Sequence, residues 1–190
     1  MSRHEDRSEI EEVLYAYARA VDRADWDLLR SVYHPDAYDD HGGYQGDVDG
    51  FIAYVIARHK DLEHSAHHLS NILIDFRSAD VAVVETHCQA FQRFRPGPQR
   101  ILAFGDEAEI VAPGKAAARI VGVLRYVDRF ERREGRWAIA HRTVVSGDLW
   151  IEQLEEPVRF GHARVVQRHD RTDHLYAVLD DESRGETDQA

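Results

Sequence analysis

The chain has 190 residues, with 24 Lys and Arg against 35 Asp and Glu and a formal net charge of −11. That acidity, with no basic patch in the sequence, argues against nucleic acid or an anionic membrane as partner, and a 43% hydrophobic share excludes disorder throughout. The lone cysteine, Cys88, excludes an intrachain disulfide and a cysteine-based zinc site.

Ser8-Glu9-Ile10-Glu11 has the form of a capping box, and Ile10, Leu14, Tyr17 and Val21 recur at helical spacing, so a first helix is expected from Ser8 to Arg23. Asp25 can cap a short second helix carrying Trp26, Leu28, Leu29 and Val32, stopped by His34-Pro35. An extended piece over Ala37–Tyr44 ends at Gly42-Gly43. A third helix is expected near Val48–Leu62, with Phe51, Ile52, Val55 and Ile56 facing inward.

The pattern then changes to period two. His67 to Phe76 alternates as a strand, and Val81–Phe94 is a second, reached through Ser78-Ala79-Asp80 and broken by Arg95-Pro96-Gly97-Pro98. Arg119–Arg132 and Arg136–Trp150, joined through Glu134-Gly135, read as a β-hairpin. Between them, Gln99–Ala118 is ambiguous: Pro113-Gly114-Lys115 looks like a turn, and Ile101–Phe104 can pair or pack. After Pro157 the pattern weakens, and the polar Glu182–Ala190 is expected to fray. Helices followed by long antiparallel strands give an α+β domain over residues 1–155, with a C-terminal extension over 156–190. The helices must cover one face of a strongly bent, mostly antiparallel sheet, and the cone-shaped space between them is the natural ligand cavity. The absence of a secretory h-region, or of any apolar run near the length of a membrane span, gives the expectation of a cytoplasmic protein.

Three stretches carry a resemblance: YAYARAVDRADWDLLRSVYHPDA, HSAHHLSNILIDF and VDRFERREGRWAIAHRTVV. In that order they resemble the SnoaL-like branch of the nuclear transport factor 2-like superfamily, over roughly Ile10–Trp150. The resemblance implies a cone-shaped α+β barrel, and within the superfamily it leans toward scytalone dehydratase, hexachlorocyclohexane dehydrochlorinase and bile acid 7α-dehydratase. Those are cofactor-free lyases with an Asp on the first helix and a His at the start of a strand, which fall on Asp22 and His67 here. An active-site Arg of the dehydrochlorinase falls on Arg142, while the second pocket His of the scytalone enzyme is replaced by Phe91. Assembly as a homotrimer through the outer sheet face is implied by the same resemblance.

Twelve histidines are present, and imidazole is the side chain that exchanges protons near neutral pH. In a dyad, a carboxylate on one ring nitrogen fixes the tautomer and leaves the other as a base. His67 is then the base, Asp22 its orienter, and Arg142 a stabiliser of developing negative charge. Neighbours on a strand face opposite ways, so His68 points away if His67 faces the pocket. Tyr17, Trp26 and Tyr38 are candidate pocket walls, and His87 and Phe91 contact substrate if their face of the second strand lines the cavity. Asp39-Asp40-His41 reads as a solvated turn before Gly42-Gly43, or else as a second acid–base group. Arg168-His169-Asp170-Arg171-Thr172-Asp173 can lid the pocket, wrap over a neighbouring subunit, or be solvated surface. No metal site is expected, because no third ligand stands at firm spacing from His64 and His67 or His68. The leading expectation is a cofactor-independent lyase acting on a small, largely apolar cyclic molecule by dehydration or a related β-elimination. An isomerase or polyketide-type cyclase would use the same dyad; a ligand-binding module or a structural subunit like the dioxygenase β-subunit would have no use for one.

Overall fold

The structure, a computed structural model, describes residues 3–96, 99–102, 109–112, 117–154 and 164–187. Three helices lead, α1 (Arg3–Asp22), α2 (Trp26–Ser31) and α3 (Val48–His59), with the short strands β1 (Tyr33–Asp40) and β2 (Gln45–Asp47) between the last two. Long strands follow: β3 (Leu62–Phe76), β4 (Val81–Phe94), β7 (Ala117–Arg133) and β8 (Arg136–Leu154). A two-stranded ribbon of β5 (Gln99–Leu102) and β6 (Glu109–Ala112) interrupts them, and α4 (His174–Thr187) closes the chain.

The first helix starts five residues before the Ser8 box, which lies inside it. Its extra turn is anchored from the sheet: the buried Asp6 carboxylate accepts from Trp137 Nε1 and Arg132 Nη1, each at 3.0 Å. Asp25 caps α2 by accepting from Leu28 N at 3.2 Å, and Asp47 caps α3 by accepting from Gly50 N at 2.8 Å. On α3 the inward side chains are Val48, Phe51, Val55 and His59, whereas Ile56 lies exposed on the far side. The helix stops at His59, short of the expected Leu62, because the chain joins the sheet there, and His64 and Ser65 belong to β3.

The main sheet runs β2-β1-β8-β7-β4-β3, antiparallel except for β1 beside β8, and it remains open. Helices rather than further strands complete the wall of the cone. The β7–β8 turn places Glu134 at φ 53° and Gly135 at φ 81°, the paired left-handed conformation that matches the twist of a two-residue hairpin. Farther along, a register shift at Val123/Leu124 bends the same pair, and there a Cβ on Gly147 would lie 2.7 Å from the Val123 carbonyl. The core fills the concave face, where Ile10, Leu14 and Val21 of α1 and Phe51 of α3 meet Val84, Cys88, Tyr126, Phe130 and Trp137. No helix of the described residues is long and apolar enough to cross a membrane.

Ile101 pairs with Ile110 in the β5–β6 ribbon; Phe104 and the Pro113-Gly114-Lys115 turn lie outside the described residues. Helix α4 runs to Thr187, and residues 188–190 lie outside the described residues.

Candidate active site

Strand register decides which side chains meet. His67 pairs with Ala90 and Ser65 with Gln92, so all four face the concave side, while His68 pairs with Gln89 and points outward. At the last residue of α1, Asp22 projects its carboxylate onto β3. It accepts from His67 Nδ1 at 2.7 Å, from the His67 backbone N–H at 2.8 Å, and from Ser65 Oγ at 2.7 Å. Burial works to raise the Asp22 pKa, but the His67 ring and these hydrogen bonds overcome it and hold the carboxyl below its ordinary value. Donation by Nδ1 to a carboxylate leaves Nε2 of the neutral ring as an acceptor, and His67 lines the interior cavity.

That cavity is walled by Tyr17 and Val21 of α1, Phe51, Val55, Arg58 and His59 of α3, and Ala90, Gly122, Leu124 and Tyr126 of the sheet. The space between these side chains is about 40 Å³, so a ring-sized ligand requires its wall to yield. Across it Arg58 Nη2 donates to Gln92 Oε1 at 3.3 Å. Burial lowers the Arg58 pKa and, with the Arg58 charge beside it, drives that of His59 well below the ordinary histidine value. Among the described residues His59 Nδ1 is buried without a hydrogen-bond partner.

Of the residues marked in the sequence, Asp22, His67 and Tyr17 come together here. Arg142 is fully buried, but it does not line the cavity: its Nε and Nη2 grip Asp128 at 2.8 and 2.6 Å. Its Cζ lies 4.1 Å from the ring centroids of both Tyr17 and Tyr126, and Nη1 is buried without a partner among the described residues. Burial opposes the guanidinium charge, yet the Asp128 carboxylate keeps the Arg142 pKa well above the ordinary arginine value. Trp26 packs on His59, with ring centroids 6.1 Å apart, outside the cavity lining. Tyr38 pairs in register with His141, stacks on it at 5.1 Å, and faces outward. Outward, too, are His87, beside Glu85 at 3.5 Å, and Phe91, against His68 at 5.1 Å. Phe91 lines instead a wider outer groove of about 630 Å³ with His64, His68, Arg93 and Arg119. Alternation forces this outcome, because Cys88, Ala90 and Gln92 take the concave face.

A second Asp–His pair closes the other side of the cavity. His41 Nδ1 is hydrogen-bonded to Asp39 Oδ1, and its Nε2 meets the Tyr17 hydroxyl at 3.2 Å. Tyr33 donates to the other Asp39 oxygen at 2.6 Å, and the His41 ring stacks on Phe51 at 4.4 Å. Asp39 pairs with Arg142 across the sheet and is fully buried, so this is no solvated turn. Ser65 went unmarked because the expected strand began at His67, whereas β3 starts at Leu62; His59 and Arg58 gave no sequence signal beyond helical spacing.

The C-terminal segment packs on its own chain. Gln167 Nε2 donates to the Ser65 carbonyl at 2.7 Å and His169 Nδ1 to the Asp22 carbonyl at 2.9 Å. Arg171 and the Tyr176 hydroxyl both reach Asp25 Oδ2 at 2.8 Å, and Arg23 approaches Asp173 at 3.4 Å. The strap therefore covers the backbone of both dyad-bearing segments at Asp22 and Ser65. Among the described residues, no group of three or more His, Cys, Asp or Glu is placed to hold a metal ion.

Several solved structures share this architecture. A Kribbella flavida protein, Kfla4162, superposes with a TM-score of 0.63 at 18% identity, over 78% of this chain and 95% of its own. A type 2 hexachlorocyclohexane dehydrochlorinase (LinA) gives 0.61 at 17% identity, over 85% and 96%. A provisionally assigned scytalone dehydratase from Novosphingobium aromaticivorans gives 0.59 at 18%, over 81% and 89%. At these identities the likeness establishes the fold alone. No curated protein matches the chain. The SnoaL-like domain model, however, matches residues 2–143, and the chain belongs to that family.

Proposed function

We propose that the protein is a cofactor-independent lyase that removes a proton and a leaving group from adjacent carbons of a small, largely apolar cyclic substrate. The observation that carries this reading is the Asp22–His67 pair, hydrogen-bonded at 2.7 Å, with the ring at the wall of an otherwise mostly apolar cavity. A buried polar dyad is costly unless its groups are satisfied, and Asp22 is satisfied through both carboxylate oxygens by His67 and Ser65. His67 Nε2 takes the carbon-bound proton; Asp22 holds the tautomer and stabilises the imidazolium that forms. Arg142, one ring removed from the cavity, supplies positive potential rather than contact. The dehydrochlorinase and the scytalone dehydratase named among the similar folds support elimination as the reaction class.

The test assays a panel of cyclic ketones carrying a β-hydroxyl or β-halide, following water or halide release. His67→Gln is expected to lower kcat/KM by about 10²–10⁴-fold. Wild-type turnover by folded His67→Gln and Asp22→Asn would sink the dyad reading. An isomerised or cyclised product with no group released would move the chemistry to proton transfer alone.

A further inference from the structure

We infer that Asp39, His41 and Tyr17 form a second proton-carrying unit of this cavity, one that protonates a departing hydroxyl and so suits the site to alcohols rather than halides. The inference rests on the elimination reading above and deepens it.

The two histidines enter from opposite sides. His67 sits on β3 at one edge of the sheet, whereas His41 follows β1, which lies next to the far edge. Both line the one cavity, as does Tyr17. His41 repeats the wiring of His67: its Nδ1 faces a buried carboxylate, which leaves Nε2 to exchange a proton. Asp39 is held in turn by the Tyr33 hydroxyl at 2.6 Å, and the stacked Phe51 fixes the ring plane. Among the described residues His41 Nε2 meets one partner, the Tyr17 hydroxyl at 3.2 Å, and that hydroxyl belongs to a cavity-lining side chain. A structural pair would not need its second nitrogen joined to a cavity-lining hydroxyl.

The chemistry requires such a unit for one substrate class only. When His67 Nε2 takes the proton, the C–H electron pair becomes the new C=C bond, and the C–O bond breaks with its electrons on oxygen. Hydroxide is a poor leaving group at neutral pH, so a proton must arrive as that bond breaks. Tyr17 gives its hydroxyl proton to the departing oxygen, and protonated His41 returns one from Nε2 to the Tyr17 oxygen. Products are the alkene and water; His67 ends protonated and His41 neutral, and exchange with solvent restores both. Chloride departs without a proton and gains nothing from the unit.

The experiment compares kcat/KM for a cyclic β-hydroxy ketone and its β-chloro counterpart on the full chain. His41→Gln is expected to lower the hydroxyl-to-chloride ratio about a hundredfold, and Tyr17→Phe to lower it in the same direction. His67→Gln depresses both substrates together and leaves the ratio within threefold. A ratio unchanged in a folded His41→Gln protein overturns the second unit while elimination by His67 stands. Should His41→Gln fail to fold, Tyr17→Phe decides on the same ratio. Wild-type turnover of the chloride alone overturns the inference; turnover of neither substrate overturns it together with the elimination reading.

Discussion

The buried pairs Asp128–Arg142 and Asp22–His67 have opposite fates in this cone. Asp128 and Arg142 face each other across β7 and β8, joined by two hydrogen bonds, and the guanidinium lies against two tyrosine rings. Asp22 and His67 are joined as firmly, yet the imidazole reaches the cavity wall with one nitrogen still available. Pairing alone therefore does not mark a working group. What separates the two is whether the group reaches the cavity lining. Arg142 turns Nε and Nη2 to Asp128 behind Tyr17 and Tyr126 and becomes part of the scaffold, while His67 stands at the wall.

The comparison can be broken most directly at Arg142. Replacing it by Met leaves Asp128 buried and unpaired, with an expected loss of about 3–5 kcal/mol in urea unfolding. Adding Asp128→Leu should recover most of that, and a double variant as unstable as the single one would refute the account. His67→Gln is expected to cost less stability, about 1.5–3 kcal/mol for a hydrogen bond to a charged group, while removing most of the activity. If instead it unfolds the protein as thoroughly as Arg142→Met, the contrast disappears. Ser65→Ala removes one hydrogen bond from the Asp22 carboxylate, worth about 1.5 kcal/mol, and should raise the Asp22 pKa toward its ordinary value. Tyr176→Phe, which frees one contact of the strap to Asp25, is expected to cost about 1 kcal/mol or less by thermal unfolding.

Protonation gives a further contrast. Asp22 has a lowered pKa in the fold, so its contacts stabilise the protein above the unfolded value near 3.8 and are lost as pH falls through the lower folded one. His59 is lowered as well, but as a base: below about 6.5 the unfolded ring binds a proton that the folded ring refuses. Stability should therefore fall from neutral pH downward well before Asp22 titrates. His59→Phe is expected to flatten that upper limb in a pH series of unfolding midpoints, and an unaltered slope would show that other groups produce it.

Sequence pattern reached the strands most surely. Val81–Phe94 is a strand over the expected residues, and the Glu134-Gly135 hairpin turns where its residue types require. Period two also carries facing, which is why His68 points outward opposite His67. Asp22 and His67 came from resemblance, since nothing local distinguishes a carboxylate at a helix end from a solvated one. Periodicity could not carry the long-range facts. Asp6 extends α1 only because Trp137 and Arg132 reach it from the sheet, and Asp39-Asp40-His41 looks like a turn until β1 docks in parallel beside β8. Arg142 illustrates the same limit. Its position was readable, but the commitment of its guanidinium depends on Asp128 from another strand.

Cys88 sits at the centre of this arrangement, on the concave face of β4, buried with its thiol pushed by burial up to about 11. It is the chain's only sulfhydryl, and the neighbouring Tyr126 forms part of the cavity wall. A thiol so placed is nearly silent toward alkylating reagents while the cone is shut. Its modification rate is thus a clock for opening, read from one atom without any introduced label. Slowing of that clock by a candidate ligand would report occupancy of the interior even before any turnover is found.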